Sequence, residues 1–159
     1  MTGWPPPSAH NHYLVRHIAV LLHSFTRWTD RLLVDPRLGA TDQARYLFYA
    51  PFVVVSHSVD PDPRFTYGNQ TALTLFEMSW EEFTSLPSRQ SAAPMHQVER
   101  ERFLTTVARQ GYMDGYQGVR IAKSGRRFRI EGATLWNLVT EHNTYCGQAA
   151  TFNNWTFLT

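Results

Sequence analysis

From residue 12 to residue 34 the apolar side chains return at helical spacing. Leu14, Ile18, Leu21, Phe25, Trp28 and Leu32 advance by four, three, four, three and four. That is one stripe of a helix, and Val15, Leu22 and Leu33 widen it beyond about 100°. Asn11 is placed to cap its start, and Pro36 and Gly39 to end it. The residues ahead of it carry Pro5-Pro6-Pro7 and read as a loose leader over 1–11. The stripe also obeys a seven-residue repeat, so it either packs on its own domain or seats against a partner helix.

Past Gly39 the elements shorten. Asp42–Phe48 reads as a short helix. Phe52-Val53-Val54-Val55-Ser56-His57 is β-branched and reads as a buried strand. Asp60-Pro61-Asp62-Pro63 forces a turn, and Arg64–Gly68 resumes a strand. Asn69–Phe76 and Ser79–Phe83 read as two short helices, the second with Ser79 as cap and Glu82 at the capping-box position. Pro87 and Pro94 bracket a loop or a single turn. A charged helix from His96 to Ala108 has the narrow apolar face Phe103, Leu104 and Val107 and ends at Gly111.

Then the period changes to two. Tyr116–Ala122 is a strand, Lys123-Ser124-Gly125 a turn, and Arg126 opens another strand. Glu141-His142-Asn143 turns into the last strand, Tyr145–Phe152. Alternation places Phe128, Ile130, Thr134 and Trp136 on one face. Arg127, Arg129 and Glu131 fall on the other, which turns apolar at Ala133 and Leu135. That outer patch needs cover, and helix 12–34 is the candidate for it. Two strands, then helices, then three strands predict an α+β domain: a five-stranded antiparallel sheet with helices massed on one face.

Composition narrows the function classes. The chain has 159 residues, 43% hydrophobic and 18% charged, enough apolar material for one real core. A net charge of +2 is too small for a dedicated nucleic-acid binder. One cysteine, Cys146, allows neither an internal disulfide nor a cysteine-based zinc site and suits a reducing compartment. The start lacks the pattern of a signal peptide, and the longest apolar run, Ile18–Leu22, is far short of a membrane span. A cytoplasmic protein is expected.

The run Phe65-Thr66-Tyr67-Gly68-Asn69-Gln70-Thr71-Ala72-Leu73 resembles the PAS sensory pattern of a strand ending in Tyr-x-Asn with Ala in the next helix. Ser79-Trp80-Glu81-Glu82-Phe83 resembles the turn that follows. A closer resemblance is to the MEKHLA family of PAS-related domains. It rests on Tyr67-Gly68-Asn69, Leu75-Phe76-Glu77-Met78, Pro87-Ser88-Arg89 with Ser91-Ala92, Gly118-Val119-Arg120-Ile121, Gly125-Arg126-Arg127-Phe128 and Gly147-Gln148-Ala149-Ala150. The resemblance covers roughly 45–155. It implies strand order 2-1-5-4-3 and a sensory or protein-interaction module without established catalysis. The chain then divides into a leader over 1–11, a helix and turn over 12–39 and a PAS-like domain over 40–159. One departure is Thr84-Ser85-Leu86-Pro87, where PAS domains commonly carry Gly, so the pocket entry is shaped differently.

Each candidate site residue has a plainer role beside it. Asn69 reads as a helix cap, with a ligand contact as the competing role. Phe76, Trp80, Phe128 and Trp136 either wall a cavity beneath the sheet or are simple core. Gln148, if inward, supplies the polar group such a cavity needs. Arg89 either clamps a carboxylate or phosphate or pairs with Glu81 or Glu82. His96 matches the helix that carries the haem ligand of some PAS domains, yet an isolated His at a helix start reads as exposed or structural. The loop Leu86–Ser91 has no cysteine for a flavin adduct. Lys123, Arg126, Arg127 and Arg129 read as solubilising charge. The seven His show no metal-ligand spacing, and Glu81-Glu82 has no base beside it.

The function expected is therefore a PAS-like sensory or interaction module that binds a small molecule or a partner, cofactor unspecified. The alternative is a small enzyme acting on a metabolite held in the cavity. The width of the stripe over 12–34 predicts a homodimer through that helix.

Overall fold

A computed structural model describes residues 3–92 and 97–159. After a 3-10 turn at Ala9–Leu14 come α1 (Val15–Thr29), α2 (Ala40–Tyr49), β1 (Val53–His57), β2 (Phe65–Gly68), α3 (Gln70–Phe76) and α4 (Trp80–Thr84). A second 3-10 turn, Ser88–Ser91, leads to α5 (Gln97–Gln110), β3 (Tyr112–Ile121), β4 (Arg127–Val139), β5 (Tyr145–Phe152) and β6 (Asn154–Phe157). The antiparallel sheet has the order β2-β1-β5-β4-β3, as expected, and Val53 pairs with Phe152 across β1 and β5. β6 is an addition: it pairs with β4 from Phe128↔Phe157 to Glu131↔Asn154, continuing the line of β5 past Asn153.

The short helices start where their caps are. Asn69 Oδ1 accepts from Ala72 N at 3.1 Å and opens α3. Ser79 and Glu82 exchange hydrogen bonds in a capping box that opens α4. The first helix is shorter than its periodicity. It stops at Thr29 because Asp30 turns left-handed and returns its N–H to Thr26 O. It starts at Val15, since His12, Tyr13 and Leu14 are all left-handed, and the cap of the preceding turn is Ser8, not Asn11.

Helix α1 covers the sheet face opposite α3 and α5, with α2 packed beside it, and the stripe packs on its own domain. Ile18, Leu21, Ser24 and Phe25 are buried. Phe25 meets Trp136 edge-on at 4.8 Å between centroids. Three polar ties fasten the helix to β4: Trp136 Nε1 donates to Leu21 O, Trp28 Nε1 to Asn137 O, and Ser24 Oγ both donates to Val139 O and accepts from Val139 N. A polar residue in the middle of an apolar stripe thus completes a strand ladder. With Leu21 and Trp28 both used within the domain, Glu at these positions would report on its folding rather than on a dimer.

The expected faces of β4 need correction. Gly132 adopts φ +65°, a conformation that resets the alternation. Ala133 and Leu135 turn inward with Ile130 and line a cavity, whereas Trp136 turns outward under α1. Phe128 and Trp136 therefore lie on opposite faces, and α1 covers Trp136 rather than an Ala133–Leu135 patch.

A second special glycine joins α5 to β3. Gly111 has φ +98°, and a Cβ there would run into the Trp28 ring. Gly111→Ala is expected to cost about 2–4 kcal/mol, backbone strain and overpacking together. The urea midpoint should fall at unchanged slope. A loss below about 0.5 kcal/mol would mean that Trp28 swings away freely.

Candidate functional site

The inner sheet face is closed by α3, the 3-10 turn at Ser88–Ser91 and α5, and a cavity of about 50 Å³ remains between them. A water needs roughly 10–15 Å³ on this measure, so the space suits a few waters or a molecule of similar size. It is far below the roughly 300–1,000 Å³ of a drug-sized site. Its apolar wall comes from Val55, Phe65, Phe76, Leu104, Ile130, Leu135 and Phe152. The polar groups are Ser88, Ser91, His57, Arg100, Arg120, Tyr116 and Gln148. A broader groove on the α1 side, lined by Trp4, His17, Val20 and Cys146, is open to solvent.

The polar groups arrive from five elements. His57 ends β1, and its Nδ1 donates to the Ser58 carbonyl at 3.0 Å, which leaves Nε2 as a bare acceptor. That Nε2 is buried without a protein partner. Burial, with Arg100 and Arg120 adding to it, pushes the His57 pKa down to about 4. Arg100 reaches down from α5 and donates to Ser88 Oγ. Burial first, then the charge of Arg120, lowers its pKa to about 10. Arg120 lies over the Tyr116 ring at 5.3 Å, with its Nη1 buried and unpartnered. Gln148 Nε2 donates to Leu104 O at 3.0 Å and to Asn137 Oδ1 at 3.1 Å, tying α5 to the sheet floor.

The structure divides the residues singled out from sequence. Phe76 and Gln148 line the cavity. Phe128 backs the wall, 5.3 Å from Phe76. Arg89 sits outside, paired with Asp62 at 2.9 Å rather than with Glu81 or Glu82. Glu82 pairs with Lys123 instead. Trp80 joins Tyr67, His17 and Trp4 on the α1 side, where its Nε1 donates to Trp4 O. Trp136 is on that side too. Asn69 takes the plainer role: four hydrogen bonds to main-chain groups use its amide fully. Cys146 opens on the outer groove. His96 lies outside the described residues. Among the described residues no three His, Cys, Asp or Glu side chains gather as a metal site, and no helix is long and apolar enough to cross a membrane.

Sequence reasoning missed Arg100, Arg120, Ser88 and His57. A signal existed. Arg100 precedes Phe103, Leu104 and Val107 at helical spacing, so it lies on the apolar stripe of α5 and not on its charged face. Arg120 shares the period-two face of Tyr116, and His57 that of Val53 and Val55.

The comparisons agree with this fold. The sequence model of the MEKHLA domain matches residues 15–157. No curated protein sequence matches the chain. A PAS domain of a protein from Colwellia psychrerythraea superposes with TM-score 0.61 at 18% identity, covering 74% of this chain and 95% of that one. A light-oxygen-voltage domain studied with a flavin analogue gives 0.58 at 18% identity, covering 76% and 89%. A fungal light-oxygen-voltage photoreceptor domain gives 0.59 at 13%, covering 89% and 91%. At these identities the likeness is one of fold.

Proposed function

The chain belongs to the MEKHLA domain family, and from that premise we propose that it is a sensory module that holds a small molecule in the inner cavity and performs no catalysis of its own. The observation that carries the reading is the inner cavity with polar groups converging on it from β1, the 3-10 turn, α5, β3 and β5. A flavin ring system exceeds the space, and the loop before α5 has no cysteine, so the light chemistry of the structural neighbours is not carried over. A ligand there touches α5 and the sheet at once, so occupancy changes how tightly the two pack. The protein works in the cytoplasm in this reading. Two copies associate through the part of the α1 surface its own sheet covers only in part, around the half-buried Val15 and Leu22.

Native mass spectrometry of protein purified from its own cells, compared with the denatured mass, tests the reading. A small mass excess is expected, and its removal should speed hydrogen exchange in α5 and β3 more than in α1. Equal masses, with exchange unchanged on adding low-molecular-weight cell extract, would leave a protein partner as the thing recognised.

A further inference from the structure

Two guanidinium groups line a cavity of about 50 Å³. Arg100 is only 6% exposed. The ion pairs among the described residues that involve Arg or Lys are Arg31–Asp114, Arg37–Asp35, Arg89–Asp62 and Lys123–Glu82. None of them involves Arg100 or Arg120, and the carboxylate that acts on Arg100, Glu101, does so from beyond ion-pairing distance. The stretch outside the description, Ala93-Pro94-Met95-His96, carries no carboxylate side chain either. Removing a charge from water without a counter-charge costs several kcal/mol, and two like charges facing one space raise that cost. The sequence nevertheless places both there.

The remaining polar groups suit the same occupant. The Ser88 hydroxyl, held by Arg100, and the Ser91 hydroxyl, which donates to Ser88 O, stand beside the guanidiniums. His57 Nε2 is an acceptor with no donor. Two cations and the free Ser88 hydroxyl proton for an anion, plus one acceptor for a hydroxyl, describe a compact acid. Resting on the sensory reading above, we propose that the cavity recognises a small oxyanion of a few heavy atoms, with a 2-hydroxycarboxylate as the best match. Its carboxylate lies between Arg100 and Arg120, and its hydroxyl donates to His57 Nε2. Planar guanidiniums bind a carboxylate through paired N–H donors.

The test uses the full chain at constant ionic strength. Probes are glycolate, acetate, inorganic phosphate and, as the neutral control, ethylene glycol. Melting temperature and calorimetric titration are read for the unmodified chain, Arg120→Met and Arg100→Lys. Glycolate should raise the melting temperature saturably, acetate less, and ethylene glycol not at all. Arg120→Met should weaken glycolate binding roughly ten- to a hundredfold, the worth of a charged hydrogen bond. Without anion it should melt no lower than the unmodified chain, because it removes a half-buried charge whose Nη1 has no partner. Arg100→Lys keeps the charge and the serine contact and should fall between the two. Binding of phosphate in place of glycolate, with the same dependence on Arg120, supports the oxyanion site and overturns the hydroxyacid match. Equal binding of glycolate and ethylene glycol, indifferent to Arg120→Met, overturns the anion proposal and leaves a ligand-binding cavity. If no probe binds, and crystals grown in glycolate hold only water there, the anion proposal falls, and the native mass comparison decides separately whether its premise falls with it.

Discussion

Asn69→Ala should be the most damaging single truncation outside the apolar core, at about 4 kcal/mol or more. Its Oδ1 accepts from Val54 N and Ala72 N, and its Nδ2 donates to Leu47 O and Phe52 O. Ala would leave four main-chain groups short of a partner where water does not reach. Each buried orphan costs about 1–3 kcal/mol, although such costs do not simply add. The loss should appear as a drop of roughly 10–15 °C in melting temperature for a chain of this size. Ser79→Ala is the control. It removes the same kind of cap from α4 at a solvent-exposed site and should cost about 1 kcal/mol. If the two variants melt together, Asn69 is an ordinary cap and not the rivet joining α2, β1 and α3.

Stability should fall steeply between pH 6.5 and pH 4, and the upper part of that window, above pH 5, lies clear of the range in which carboxylates titrate. Burial pushes the His17 pKa down to about 4; its Nε2 meets Ser56 Oγ, and its ring lies against Trp4 and Tyr67. His57 falls to a similar value. In the unfolded chain both return to 6.5. Between those values the unfolded state binds more protons than the folded one, so acid favours unfolding. Stability is complete above 6.5, declines through the window and levels off below about 4. Each histidine contributes up to about 1.4 kcal/mol per pH unit. The pair together removes several kcal/mol from a domain holding about 5–15. Urea midpoints measured from pH 7.5 downward check this. His17→Gln, which keeps a partner for Ser56 and does not titrate, should roughly halve the slope. A flat profile to pH 5 would assign acid sensitivity to carboxylates instead.

Local chemistry carried what was legible in the sequence. Asn69 and Ser79 announced their helices because a cap is a contact with residues three positions away. The strand order followed from the PAS resemblance, and the last strands from alternation. What stayed hidden depended on single backbone choices or on distant partners. Nothing in the pattern around Gly132 says that the chain turns left-handed there, yet that angle decides which face Ala133, Leu135 and Trp136 take. The end of α1 hung on Asp30, inside a run that remained apolar to Leu33. The cavity groups were hidden for another reason. Arg100, Arg120 and His57 read singly as surface charge or as the end of a strand, and only the closed sheet brings them within reach of one another.

Asn137 carries a consequence for how the domain could speak to whatever lies beside it. Its main-chain carbonyl takes the Trp28 indole of α1. Its own N–H donates to Gly111 O and its side-chain Nδ2 to Val107 O and Ala108 O, while its Oδ1 accepts from Gln148 Nε2 on the cavity floor. One residue is thus held from both sides of the sheet, with no loop and no hinge between. A strand has thickness but no slack. Whatever presses on one side of β4 displaces the same atoms that the other side holds, much as a drumskin shared by two chambers cannot move in only one of them. The inner chamber and the outer helix therefore share one residue of β4, and the shortest path between them is a single residue long.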